Sequence, residues 1–185
     1  MIIDTHCHLA SAQFDQSRRK AYVEHALREG IDRMITLGAR PDDWEANTAW
    51  ARQFPGVVFC ALGIHPDDAH EAPEGWADRL SRMAQDIPLA AIGETGLDYF
   101  HGAPRGWEAD SFRRLQQNLL EQHFDLAARL GLNIVLHTRD RKGSGSFEDA
   151  LAIARNHAGR VRPVFHCFIG DTAQAARIFD ELDGM

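Results

Sequence analysis

Met1-Ile2-Ile3-Asp4-Thr5-His6-Cys7-His8 is a short apolar run that ends in two histidines one residue apart. On an extended strand successive side chains alternate faces, so His6 and His8 point one way, Cys7 points the other, and both imidazoles can reach one metal ion. Later apolar runs finish in similar groups: Ile64-His65-Pro66, Ile92-Gly93-Glu94, Leu136-His137-Thr138 and Phe165-His166-Cys167. Two architectures compete for a chain that alternates strands and helices, an open doubly wound sheet and a closed barrel. In an open sheet the ends of the outer strands diverge, whereas a (βα)8 barrel gathers the C-terminal strand ends around one axis. The strand-end ligands therefore predict an α/β fold, a TIM-type (βα)8 barrel.

Strands are expected at 1–9, 33–38, 57–64, 89–94, 133–138 and 161–167, and helices at 17–29, 43–53, 74–86, 108–130, 147–157 and 172–182. The clearest helix carries Phe112, Leu115, Leu119, Leu126 and Leu130 at three-, four- and seven-residue steps, a stripe suited to packing on a sheet, with Gly131 placed to end it. Six strand–helix pairs are visible where eight close the standard barrel. The chain stops at Leu182-Asp183-Gly184-Met185, where a seventh strand is expected to begin, so the expectation is one barrel domain, 1–185, incomplete at its C-terminus. Such a molecule leaves its first and sixth strands with unpaired edges, which invite self-association through the open side.

The hydrophobic fraction of 44% and charged fraction of 25% are those of an ordinary soluble globular protein. No apolar stretch approaches the roughly 18 residues of a membrane span, and the first residues carry candidate ligands in place of a signal peptide, so a cytoplasmic protein that binds no membrane is expected. A formal net charge of -7 argues against holding nucleic acid through a broad basic surface. It does not exclude an anionic substrate, because bound cations attract phosphate locally. Cys7, Cys60 and Cys167 are odd in number, lack CxxC spacing, and fall at opposite strand parity to a nearby histidine; buried structural thiols are expected.

The histidines His6, His8, His137 and His166 with the carboxylate Glu94 are nitrogen and oxygen donors that suit divalent metals such as zinc, manganese, magnesium or cobalt. Five protein ligands are too many for one tetrahedral ion with an open position. They fit two divalent ions bridged by Glu94, which can clamp the oxygens of a displacement at phosphorus or carbon. A lone histidine at a strand end is more often a hydrogen-bonded surface residue. Five strand-end histidines on barrel-facing parity make coincidence a poor account. His25, His70, His101, His123 and His157 fall in helices or loops and are not expected to be ligands; His123, on the helix stripe, reads as structural.

Met1-Ile2-Ile3-Asp4-Thr5-His6-Cys7-His8-Leu9, Gly63-Ile64-His65-Pro66, Ile92-Gly93-Glu94-Thr95-Gly96-Leu97-Asp98-Tyr99, Leu136-His137-Thr138-Arg139 and Phe165-His166-Cys167-Phe168 resemble, in order and over nearly the whole chain, the signatures of TatD-type metal-dependent deoxyribonucleases. The resemblance implies a (βα)8 barrel and metal-dependent phosphodiester hydrolysis, usually of DNA. It implies His6 and His8 as ligands of one ion, Glu94 as bridge, His137 and His166 as ligands of the second, and His65 nearer the substrate phosphate. The family pattern also has a Glu-Thr-Asp at the eighth strand whose aspartate binds metal and serves as general base. Nothing here matches it, so impaired turnover is expected. Smaller departures are Ile169, where a small polar residue is usual, and the long segment from Phe100 to Trp107.

Asp98, in the loop expected after Glu94, could orient a ligand or bind substrate, and Arg139, at the parity of His137, could meet a phosphate oxygen. The basic, glycine-rich loop Arg139–Ser146 lacks the order of a nucleotide P-loop and reads as mobile. Amide- or lactone-cleaving barrel hydrolases often bridge their metals with a carboxylated lysine. Only Lys20 and Lys142 occur here, neither at a strand end. A phosphoesterase of the polymerase-and-histidinol-phosphatase type opens with HxH as well, but the run Gly93-Glu94-Thr95-Gly96-Leu97-Asp98 weighs against it. The non-enzymatic alternative is an inactive truncated relic, or a half-barrel completed by a partner chain.

Overall fold

The computed structural model describes residues 1–182, so the point at Asp183-Gly184-Met185 where a seventh strand is expected lies outside the described residues. Six strands, β1 (Ile3–Cys7), β2 (Arg33–Gly38), β3 (Val58–Leu62), β4 (Ala91–Tyr99), β5 (Ile134–Asp140) and β6 (Pro163–Phe165), pair in sequence order into one parallel sheet. The helices α1 (Arg19–Arg28), α2 (Trp44–Gln53), α3 (Trp76–Asp86), α4 (Ala109–Leu130), α5 (Gly145–Arg155) and α6 (Thr172–Leu182) follow them, one per strand. This is the βα alternation of the barrel, with six units among the described residues.

Alternation along each strand divides the apolar residues between two faces. Cys60, Leu62, Ile92, Ile134 and Leu136 face the helices and share the main core with Leu80, Leu120, Phe124 and Leu151, all buried. Leu37, Ala61, Ala91 and Val135 line the opposite, concave face. The stripe on α4 packs as its periodicity requires, burying Phe112, Leu119, Leu126 and also Gln116, Leu120 and His123. Gly131 closes that helix in the left-handed region at φ 66°, its N–H bonding Ala127 and Ala128. No helix among the described residues is long and apolar enough to cross a membrane.

Several strand boundaries depart from expectation: β3 stops at Leu62, before His65, and β5 runs on to Asp140. β4 runs on to Tyr99 because β5 pairs with it as far as Tyr99 opposite Asp140. β6 is only three residues long, so His166 follows the strand, although its N–H still reaches the carbonyl of Leu136 at 2.9 Å. His8 likewise lies beyond β1. Cys60 is buried and Cys7 packs under α1, as expected of structural thiols. Cys167 is not: it is exposed, and the chain turns there through φ 46°, so strand parity no longer governs where the thiol faces.

Candidate metal centre

Two of the strands that carry site residues contain one extra residue at the point of use. Between Asp4 and Cys7, β1 advances three residues while β2 advances two, and between Ile92 and Thr95 β4 does the same against β5. Such bulges re-aim a side chain. Here they turn His6 and Glu94 toward the mouth on the concave side. His65 is carried by the chain after β3, which is pinned from behind: the Trp44 indole donates to the carbonyl of Gly63 at 2.9 Å, and the N–H of Ile64 donates to Nε2 of buried His123 at 3.1 Å. His137 projects directly from β5.

These residues converge on one carboxylate. Glu94 has His137 Nδ1 at 3.2 Å, His6 Nε2 at 3.5 Å, His166 Nε2 at 3.6 Å and His65 Nε2 at 3.9 Å. Two trios result, His6–Glu94–His166 and His65–Glu94–His137, with Glu94 common to both. Two ligands about 2.0–2.2 Å from one tetrahedral ion stand about 3.4 Å apart, so the spacing suits a shared cation better than direct hydrogen bonds. Nδ1 of His6 is buried without a hydrogen-bond partner. The donor set therefore fits a divalent cation beside Glu94.

The hydrogen bonds separate the roles of two histidines. Nε2 of His137 meets the Asp98 carboxylate at 2.9 Å, so in the neutral ring Nδ1 would be the lone pair open to a cation beside Glu94. An outer acid placed in this way fixes the tautomer of a histidine that holds a metal. In His65 the order is reversed: Nδ1 accepts the N–H of Asp67 at 3.2 Å, so the neutral ring carries its proton on Nε2, a donor aimed into the site. Burial would raise the Glu94 carboxyl, but the neighbouring imidazoles of His137, His6 and His65 outweigh it and hold it well below the usual carboxylate range. Burial lowers His137, yet Asp98 and Glu94 together carry it up to about 9, so in the ion-free site the ring holds a proton on each nitrogen at neutral pH, and a cation would take the place of the one on Nδ1. His166 is pushed down to about 4 by burial and by His6.

The structure brings together His6, Glu94, His137, His166 and His65. His8 is exposed and lies beside His6, ring centroids 5.0 Å apart, outside both trios. Asp98, expected to orient a ligand or bind substrate, has a fully buried side chain that touches His137 and His101. Arg139 is exposed at the mouth, two residues beyond His137 on β5. Sequence reasoning missed Asp67 and His101, which form a third cluster with Asp98. The one signal for His101 in the sequence is its place three residues after Asp98, the reach of a turn closed by the Asp98 carboxylate on the N–H groups of Phe100 and His101.

The TatD related DNase family model matches residues 3–184. The 3'-5' ssDNA/RNA exonuclease TatD of Cronobacter turicensis is 30% identical over 95% of this chain and 62% of its own length. The uncharacterized metal-dependent hydrolase YabD of Bacillus subtilis is 28% identical over 96% of this chain and 64% of its own. The crystal structure of the TatD homologue YjjV from Escherichia coli superposes with a TM-score of 0.81 at 26% identity, covering 99% of this chain and 66% of that one. The chain thus spans a little under two thirds of the curated relatives it matches. A phosphotriesterase homology protein from Escherichia coli, 14% identical with a TM-score of 0.62, shares the fold.

Proposed function

The chain belongs to the TatD-related DNase family, and from that premise we propose that it is a divalent-metal-dependent hydrolase of phosphodiester bonds acting on DNA, with two ions bridged by Glu94. The observation that carries the reading is the convergence of His6, His137, His166 and His65 on that one carboxylate at 3.2–3.9 Å. We assign His6, His8, His137 and His166 as ligands with Glu94. When bound, the cations supply an activated water and neutralise charge on the phosphoryl oxygens. Glu94 holds the ligand set together and keeps its charge. Asp98 fixes His137 in the tautomer that presents Nδ1. His65 donates from Nε2 to a phosphate oxygen, and Arg139 offers its guanidinium to another. A relative named as a 3'-5' ssDNA/RNA exonuclease supports nucleic acid as the substrate.

Binding of Mn2+ by the purified chain at micromolar concentrations, lost in Glu94→Gln, with at most slow manganese-dependent degradation of a single-stranded oligonucleotide, tests the proposal. Calorimetry that finds no Mn2+ bound at micromolar concentrations would remove it. The reading extends to one barrel-type domain in a reducing cytoplasm, where three free cysteines are at home.

A second reading, in which the chain works as part of an assembly, is favoured by one observation. β1 and β6 are the outer strands of the sheet, and a cavity of about 450 Å3 opens on its concave side, lined by Thr5, Ile35, Ala91, Val135 and Val164 among others. Self-association through that side predicts a dimer by light scattering; a monodisperse monomer across micromolar concentrations would count against it.

A further inference from the structure

Among the described residues, the rim above the candidate site carries two arginines that no carboxylate neutralises. Strand alternation sends His137 and Arg139 to one side of β5 and Asp98 to the matching side of β4, and the Phe100 and Arg141 side chains, just past the two strand ends, join them there. Asp98 is directly paired with Arg139 in the register of the two strands. At about 3.3 Å per residue, Arg139 stands roughly 6.5 Å beyond His137, outward from the ions' ligands. The guanidinium carbon of Arg139 lies 4.6 Å from the centre of the Phe100 ring and that of Arg141 lies 5.4 Å from it. One half-buried ring thus orders two exposed cations. Asp140, between them in sequence, points the opposite way, and its carboxylate accepts the N–H and hydroxyl of Ser146 at the start of α5. Among the described residues neither guanidinium has a carboxylate partner. In a chain of net charge -7, two ordered and unpaired guanidiniums beside the site are an anion-binding feature.

We infer that Arg139 and Arg141, held against Phe100, form a clamp for the phosphodiester backbone of nucleic acid adjoining the metal centre. Arg139, nearer His137, takes the phosphate next to the ions, and Arg141 takes its neighbour along the strand. Phe100 presents its ring to the guanidiniums, so it serves as their support and leaves their N–H groups free for phosphate oxygens. Contacts of this kind fix the position of the strand without reading bases. The inference rests on the phosphodiesterase reading and adds the path by which a polymeric substrate leaves the site.

The test measures binding of a fluorescent, phosphorothioate-linked oligothymidylate to the full chain in Mn2+, as a function of salt. Arg141→Ala should weaken binding roughly five- to ten-fold and lower the slope of log K on log salt by about 0.7, the share of one phosphate contact on a single strand. Phe100→Leu keeps both charges and the apolar contact but removes the ring; it should weaken binding while leaving most of the slope. Arg28→Ala, at the far end of α1, should change neither quantity. Mn2+ titration of each variant reports on the ligand set separately. Slopes unchanged in both Arg141→Ala and Arg139→Ala would overturn the clamp. So would a wild-type chain that binds Mn2+ but no oligonucleotide, which leaves diester hydrolysis standing. A wild-type chain that binds no Mn2+ would overturn the reading underneath.

Discussion

His123 supports the site from within the helix layer, and its chemistry gives a pH signature. The ring is fully buried on α4, with Nδ1 bonded to the carbonyl of Leu119 at 2.7 Å and Nε2 accepting the N–H of Ile64, the residue before His65. Burial pushes its pKa from 6.5 down to about 4, with the Leu119 carbonyl opposing. The folded state therefore binds fewer protons than the unfolded state between those values, and stability rises with pH there. The contribution is complete above pH 6.5 and is lost as pH falls toward 4, about 3 kcal/mol in all. His123→Leu should remove up to one proton from the pH slope of urea-derived stability in that window. It should also cost about 1–3 kcal/mol at pH 7 by leaving the Ile64 N–H without an acceptor. An unchanged acid limb would show that His123 is protonated in the fold. Asp98 permits a separate test. Because it touches His137 and no open space, Asp98→Asn should weaken Mn2+ binding roughly 10- to 100-fold, with little change in the far-UV spectrum; full metal affinity in that variant would detach Asp98 from the centre.

The elements explain what was legible in the sequence and what was not. Runs such as Met34–Leu37 and Ile134–Leu136 announce strands by composition, and Phe112, Leu119 and Leu126 announce the buried face of α4, so the βα order could be read directly. The strand-end histidines were legible for the same reason. The bulges in β1 and β4 were not, because alternation reports parity and carries no sign of an extra residue. The pairing that carries β4 on to Tyr99 was also hidden, since it depends on how far β5 travels alongside. One consequence of that close pairing is sharp. At Gly96, φ is 144° and the residue lies opposite His137; a Cβ there would overlap the backbone carbonyl of His137. Gly96→Ala should therefore push β5 away from β4, displacing His137 from Glu94. Loss of Mn2+ binding together with a drop of more than 2 kcal/mol in stability is the expected result. A variant that retains both would mean the strands tolerate a wider spacing.

Across the whole molecule the ions would do what the hydrogen bonds of the sheet do not. β1 and β6 are its outer strands, yet His6 and His166 meet with their rings stacked, centroids 3.5 Å apart, and both face Glu94 of β4. A cation held by that trio links residues 160 positions apart in sequence and draws the sheet's two ends together at the mouth. Unfolding then releases the ion, so metal binding becomes folding stability. At a free Mn2+ concentration 100 times its dissociation constant, linkage adds about 2.7 kcal/mol. For a domain of this size each kcal/mol moves Tm by roughly 2–4 °C, giving a rise of roughly 5–10 °C that EDTA should reverse. His6→Ala and His166→Ala should each abolish most of the rise. If the shift survives both substitutions undiminished, the ion is bound elsewhere and the trio is not what closes the mouth.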